Sequence, residues 1–210
     1  MIEVDIRRVL IATAFFPPVS YFADVIAKDA IIIEADEHYN KQSYRNRMEI
    51  LGPNGRQILS FPVVKGENLK QKIRDVKISY DTPWQKIHWK SIETAYNSSP
   101  YFLYYKDDFF HFFHKKYDFL FDYNLEIIQK CLNFLKFNPK IELNLDYHNS
   151  LDAIDLRSKY QSKNLITTNY FLPYIQVFSD KFAFQSNLSI LDLLFNLGPE
   201  SGNYLLNLNE

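Results

Sequence analysis

VLIATAFFPPVSYFADVIAKDAIII, residues 9–33, is the stretch from which the fold is read. Its first six residues, Val9 to Ala14, form a short apolar run of the kind that makes a buried strand. Pro17 and Pro18 end the run, because proline cannot donate to a central ladder. From Val19 to Lys28 the pattern turns helical, with Phe22, Val25 and Ile26 on one face. Ala30 to Ile33 is a second short, β-branched run. Strand, helix, strand at this spacing predicts a βαβ unit with a right-handed crossover.

The texture changes after Ile33. Glu34, Asp36, Glu37 and His38 follow within five positions, then Tyr39. Ligands collect at the carboxyl ends of parallel strands. A solvated loop is the alternative, polar for that reason alone. Next, Met48 to Leu51 and Arg56 to Val64 flank Pro53-Asn54-Gly55, and Asn-Gly is a strong hairpin signal. Arg45, Asn46 and Arg47 stand at the mouth of this hairpin.

Beyond the hairpin, Ile73, Val76 and Ile78 suggest another strand. Thr82 and Pro83 are suited to open a helix from Trp84 to about Tyr96, as cap and first helical residue. Residues 101–117 are dense in aromatics. Tyr123 to Phe137 has helical spacing of Leu125, Ile128, Leu132 and Leu135. Ile141 to Leu145 and Tyr174 to Phe178 read as strands, and Asp152 to Lys163 as a charged loop. Leu188 to Leu197 reads as a helix capped by Ser189 and stopped by Gly198. The expected class is α/β: a single compact domain over residues 1–210, with a mixed sheet, an N-terminal βαβ unit, a β-hairpin and a helical C-terminal half.

Composition narrows the function. The chain has 210 residues, long enough for one sizeable core. Its formal charge is −1, from 24 basic and 25 acidic residues, which argues against bulk binding to nucleic acid or an anionic membrane. Any anion site must be local. Cys131 is the only cysteine, so neither an intramolecular disulfide nor a cysteine zinc site is available. The charged start MIEVDIRR lacks a signal-peptide core, and no apolar run approaches a membrane span, so a cytoplasmic location is expected.

Chemistry-bearing patterns are few. There is no glycine-rich phosphate loop, so no nucleotide cofactor is expected. There is no GxSxG elbow. His111 and His114, with Asp107 and Asp108 upstream, do not match a metal motif, and an aromatic helix with a polar stripe is the better reading. Arg47 beside Asn46 is more informative, because a guanidinium offers a fork of donors that fits carboxylate or phosphate. His88 shares a helical face with Trp84 and has an ordinary pKa near neutrality. Against these, Arg47 can pair structurally with Asp36 or Glu34, and His88 can be a hydrogen-bonded core histidine.

Taken together, these pieces resemble the WbqC-like family of bacterial proteins found with surface-polysaccharide genes. FFPPVSYFADVIAKDAIII resembles that family's first strand, proline loop and helix. YNKQSYRNRMEILGPNG carries its Tyr, Asn-Arg and hairpin pattern at Tyr39, Asn46 and Arg47. SFPV, WQKIHW, AYNSSPYF, YIQVF and LSILDLLFNLGPESGNYL extend the likeness to the C-terminus. Two departures stand out. The family usually has His-Gln-Pro after the first strand, where Ile11, Ala12 and Thr13 stand here. It usually carries Asp before Val-Gln-Tyr, where this chain has Ala35 and then Glu37-His38-Tyr39.

The resemblance implies a role near glycan assembly: a transferase for an acyl or aminoacyl group, acting on a sugar nucleotide or amino-sugar. On that reading Arg47 holds a phosphate or carboxylate and Asn46 orients it. His88 and Asp36 carry the proton transfer, and Tyr39, Trp84 and His38 line the cleft. The expected partner is a small molecule, a sugar nucleotide or an amino acid, and homodimerisation stays open. The competing reading is a non-catalytic binding module accessory to a glycan pathway. An enzyme requires these groups to converge on one site; a module predicts that they are engaged in structural bonds.

Overall fold

The computed structural model describes residues 7–65, 71–147, 152–160 and 171–208. Its centre is the βαβ unit. Strand β1, Arg8–Ala12, leads through α1, Val19–Val25, to β2, Ala30–Glu34. The two strands pair in parallel from Arg8↔Ala30 to Ala12↔Glu34. Every residue of β2 is buried, as expected of a strand covered on both faces. Helix α1 is shorter than the sequence pattern, ending before Ile26, because Ala27 takes a positive φ of 64°.

Two more parallel strands widen the sheet. Strand β5, Lys140–Asn144, adds beside β2, and β6, Ile154–Asp155, adds beside β1, giving the order β5-β2-β1-β6. The β6 strand lies inside the stretch read from sequence as a charged loop. Its two residues are exposed, so no hydrophobic pattern announces it. Residues 161–163 of that stretch lie outside the described residues.

The hairpin forms a second sheet, so parallel and antiparallel strands are kept apart. Strand β3, Arg47–Gly52, pairs antiparallel with β4, Gly55–Ser60. Gly55 has a φ of 102°, which a residue with a Cβ rarely adopts, and this explains glycine at the turn. The expected strand around Ile73 is instead a 3₁₀ turn, Ile73–Asp75, followed by two isolated bridges, Val63↔Ile78 and Lys77↔Phe119. Ile73, Val76 and Ile78 are all buried, so the apolar signal was real and its period was not that of a strand.

Four helices complete the body: α2, Trp84–Tyr96; α3, Phe102–His114; α4, Leu120–Phe134; and α5, Ile190–Leu197. A short α6, Ser201–Asn207, follows. Thr82 makes no capping bond at α2. Ser189 caps α5 as expected, accepting from the Leu191 N–H. Gly198 ends α5 with a φ of 53°, and a Cβ there would lie 2.5 Å from the Tyr101 ring. YIQVF, expected as a strand, has no ladder. Gln176 N–H bonds instead to Ser179 Oγ, and the Gln176 side chain bridges to Gln185.

One hydrophobic cluster runs from Val9 in β1 to Leu208 beyond α6, consistent with a single compact α/β domain. Phe15 and Phe16, in the loop after β1, sit at its middle. Phe15 packs edge-on against Phe61 with centroids 4.8 Å apart, and Phe16 stacks on Phe113 at 5.5 Å. Phe16 has a φ of 39°, a strained value for a residue with a Cβ. The strain is offset by bonds on both sides, from Phe15 N–H to Tyr44 O and from Ser189 Oγ to Phe16 O. Among the described residues no helix is long and apolar enough to cross a membrane.

Candidate functional site

The carboxyl end of β2 delivers Glu34 into a buried polar floor. Glu34 is fully buried and accepts from Asn144 Nδ2 at 2.8 Å, Arg157 Nη1 at 3.0 Å and the Asp36 N–H at 2.7 Å. Asn144 is the last residue of β5, and Arg157 follows β6, so three parallel strands each contribute a group at the same edge. Arg157 also chelates Asp155 and lies over the Tyr147 ring at 4.2 Å.

A second buried ion pair lies beside the first. Arg45 Nε and Nη2 donate to the two oxygens of Glu37, at 3.0 and 2.7 Å, and both side chains are almost wholly buried. The remaining Arg45 donors reach the carbonyls of Tyr160 and Arg157. Asn124 Nδ2 holds the Arg45 carbonyl at 2.7 Å. A buried pair of this kind persists because the geometry is bidentate and the spare donors are satisfied.

Asp36, a sequence candidate, is flanked by Lys72 Nζ at 2.6 Å and Arg74 Nη2 at 3.2 Å. The Lys72 hydrogen bond is the main cause that holds its carboxyl below the usual carboxylate range. His38 is exposed, and its backbone bridges to Lys72. Neither Asp36 nor Glu34 pairs with Arg47, because other cations already occupy them.

The other candidates gather at the base of the hairpin. Asn46 Nδ2 donates to Phe61 O at 2.6 Å, and the Phe61 N–H returns to Asn46 O. Arg47 lies opposite Ser60 in the ladder. His88 Nε2 is 3.2 Å from the same Ser60 carbonyl and donates to it as the neutral ring. Trp84 stacks on Phe61 at 4.5 Å and donates its indole N–H to Ser79 O. Asn46, Trp84 and His88 thus contact Ser60, the last residue of β4, and Phe61 after it, and Arg47 lies opposite Ser60. Asp36 belongs to a separate cluster with Lys72 and Arg74.

His88 is enclosed by Trp84, Phe15 and Phe113. Burial disfavours the imidazolium and pushes its pKa down to about 4. Its Nδ1 is buried without a partner among the described residues. The ring is therefore neutral at physiological pH and offers one free acceptor.

Arg47 differs from its neighbours. It is half-buried and forms no ion pair, and its Nε is buried without a hydrogen-bond partner, among the described residues. It acts electrostatically on Tyr39, whose pKa is raised mainly by burial and opposed by Arg45 and Arg47. It acts likewise on Tyr44, whose hydroxyl donates to Glu49 Oε1. Glu49, two residues along β3, is taken by Arg56 and by the Tyr44 hydroxyl. Among the described residues Arg47 is therefore a positive charge without a counter-ion.

Sequence reasoning named Arg45 without a role and missed Arg157, Asn144 and Asn124. Arg45 sits two residues from Arg47, and nothing in the local pattern distinguishes them. Thr13, just after β1, is buried with its hydroxyl unpartnered among the described residues. Asp192 is a second kind of buried acid. It accepts from Tyr174 and Gln176 without an ion pair among the described residues, and burial raises its pKa.

The histidine pair lies apart from this site. Asp107, Asp108 and His111 line a cleft of about 620 Å³ between α3 and α4. His111 Nε2 is 3.9 Å from Glu126, and Lys130 pairs with Asp108. Among the described residues no group of three or more His, Cys, Asp or Glu side chains is arranged to hold a metal ion.

No solved structure gives a significant match to the chain. It is similar to the uncharacterized protein Rv1507c of Mycobacterium tuberculosis (strain ATCC 25618 / H37Rv), at 25% identity over 229 residues, covering 95% of this chain and 97% of the relative. The model of the WbqC-like protein family matches residues 13–175, a span that contains the buried floor, the hairpin, Trp84 and His88. The chain belongs to the WbqC-like protein family.

Proposed function

We propose that this chain binds an anion-bearing small molecule in bacterial surface-polysaccharide assembly, with Arg47 as the anchor. The observation that carries this reading is a half-buried guanidinium that forms no ion pair and whose Nε is buried without a hydrogen-bond partner, among the described residues. A half-buried cation without a partner is costly, and an anionic ligand relieves that cost. Tyr39, whose raised pKa Arg47 opposes, is the side chain that accompanies it. Sugar nucleotides, amino acids and amino-sugars are the classes that the family context supplies.

Bonding favours a binding role over catalysis. Asp36, Asn46, Trp84 and His88 are each engaged inside the protein. The transferase reading, acyl or aminoacyl transfer with Asp36 and His88 as proton carriers, is supported by one feature, the free Nδ1 of a neutral His88. The single proton of that ring is on Nε2 and engaged by the Ser60 carbonyl, and a pKa near 4 makes Nδ1 a weak proton acceptor at neutral pH.

Thermal unfolding with a panel of sugar nucleotides, nucleoside phosphates, amino acids and sugar acids tests the anchor. A ligand at about 100 times its dissociation constant adds roughly 2.7 kcal/mol, or about 5–10 °C at this size. The shift is expected in the wild type and absent in Arg47→Ala. A shift that survives in Arg47→Ala would remove Arg47 from the site.

A further inference from the structure

We propose that the outer edge of β5 is an interface between two copies of this chain, which pair their β5 strands antiparallel about a two-fold axis at Leu143 and join their four-stranded sheets into one.

Strand β5 ends the order β5-β2-β1-β6, and among the described residues no strand pairs with its outer side. The Lys140 N–H donates to Asp29 O, and Asn144 O accepts from the Ala35 N–H. Backbone groups alternate along a strand, so Lys140, Glu142 and Asn144 face β2, and Ile141 and Leu143 turn their N–H and C=O outward. The same two side chains lie on the core face of the sheet. Ile141 is in register with Ile31 and Leu143 with Ile33, and through them with Val9 and Ile11, all buried in the hydrophobic cluster except the two on β5. Leu143 is 48% exposed, and Leu145, just past the strand, 61%. The core face is therefore uncovered where the sheet ends. A cleft of about 330 Å³ opens beside it, between Phe137, Pro139 and Ile141 and the end of α4. An open edge with apolar side chains is a template for another strand.

The residues of the edge select a second copy as that strand. In an antiparallel pair, residues directly opposite share a face, and outward-facing backbone groups must meet each other. The candidate two-fold registers centre on Ile141, Glu142, Leu143 or Asn144. Centred on Ile141, Leu143 meets Pro139, which has no N–H to give. Centred on Glu142, that carboxylate meets itself, and centred on Asn144, Glu142 meets Asp146. Like charges directly opposite are destabilising. Centred on Leu143, Leu143 meets itself, Ile141 meets Leu145, Glu142 meets Asn144, and Lys140 meets Asp146. Apolar residues then face apolar ones, and the outermost charges have opposite signs. The uncovered core faces of the two copies adjoin on one side of the joined sheet. Such a self-complementary contact closes on itself as a dimer.

Sedimentation equilibrium of the full chain and cysteine cross-linking test this. Wild type is expected at a mass near twice 25.0 kDa. Leu143→Lys, which sets two ammonium groups at the axis, is expected to sediment near 25.0 kDa with an unchanged circular-dichroism spectrum. Single cysteines read the register, since Cys131 is buried and burial pushes its thiol pKa up. Under mild oxidation Leu143→Cys is expected to give a disulfide-linked dimer, because opposite Cα atoms lie about 5.5 Å apart. Leu145→Cys, at a more exposed position, is expected to give none, because its two copies stand about 13 Å apart along the ladder. A wild type that sediments near 25.0 kDa throughout its soluble range would overturn the proposal. So would a dimer that survives Leu143→Lys, or cross-linking of Leu145→Cys as readily as Leu143→Cys.

Discussion

Arg45 and His88 are both buried beside the hairpin, and both carry ionisable groups, yet they keep them in opposite ways. Arg45 meets a carboxylate, two carbonyls and a tightly packed loop, and keeps its charge. His88 meets three aromatic rings and one carbonyl, and gives its charge up. Burial alone therefore does not decide whether a group is charged; the partner does. Arg47 belongs to neither arrangement. It is charged, half-buried and, among the described residues, unpaired, and this contrast singles it out.

Breaking the Arg45 side gives the largest effect. Arg45→Ala leaves Glu37 buried without a counter-charge and should lower the unfolding free energy by about 3–5 kcal/mol in denaturant titration. Replacing both partners, as Arg45→Met with Glu37→Leu, should recover most of that loss, since apolar packing can substitute for a buried pair. A double variant as unstable as Arg45→Ala would mean that the carbonyls of Tyr160 and Arg157 depend on the guanidinium more than Glu37 does.

The His88 side is tested by acid. Its folded pKa, near 4, lies below the ordinary value of 6.5. Between these values the unfolded chain binds the proton and the folded chain does not, so stability falls as pH falls through that window. The expected loss is about 3 kcal/mol from pH 6.5 to 4. His88→Gln, which keeps a donor for Ser60 O, should remove that limb of the pH profile. Superimposable wild-type and His88→Gln profiles would show that His88 is not the group responsible.

The sequence carried the parts of this picture that depend on short-range pattern. The βαβ unit follows from two apolar runs and two prolines, and the hairpin from Asn54-Gly55. Helix α2 ends where the pattern puts its end, at Tyr96. Long-range partners were not legible. Glu34 and Arg157 are 123 positions apart, and Arg45 and Tyr160 are 115 apart. Asp155 and Arg157 lie in a stretch whose charges read as solvation. YIQVF has a strand's composition, but Gln176 is buried and turned to Asp192, which only the packing of α5 reveals. Of the residues expected to line one pocket with the Glu34–Tyr39 loop, Asn46 and His88 bond to Phe61 O and Ser60 O, Arg47 lies opposite Ser60 in the ladder, and Asp36 lies with Lys72 and Arg74.

The smallest stability change is also the most direct test of the central claim, that Arg45 holds the fold and Arg47 is kept for a ligand. Denaturant titration of Arg47→Ala beside wild type, without ligand, measures it. A change within about 1 kcal/mol, of either sign, is the predicted result, because no protein partner is lost. A loss of about 3 kcal/mol or more, comparable to Arg45→Ala, would contradict the account and make Arg47 a structural residue.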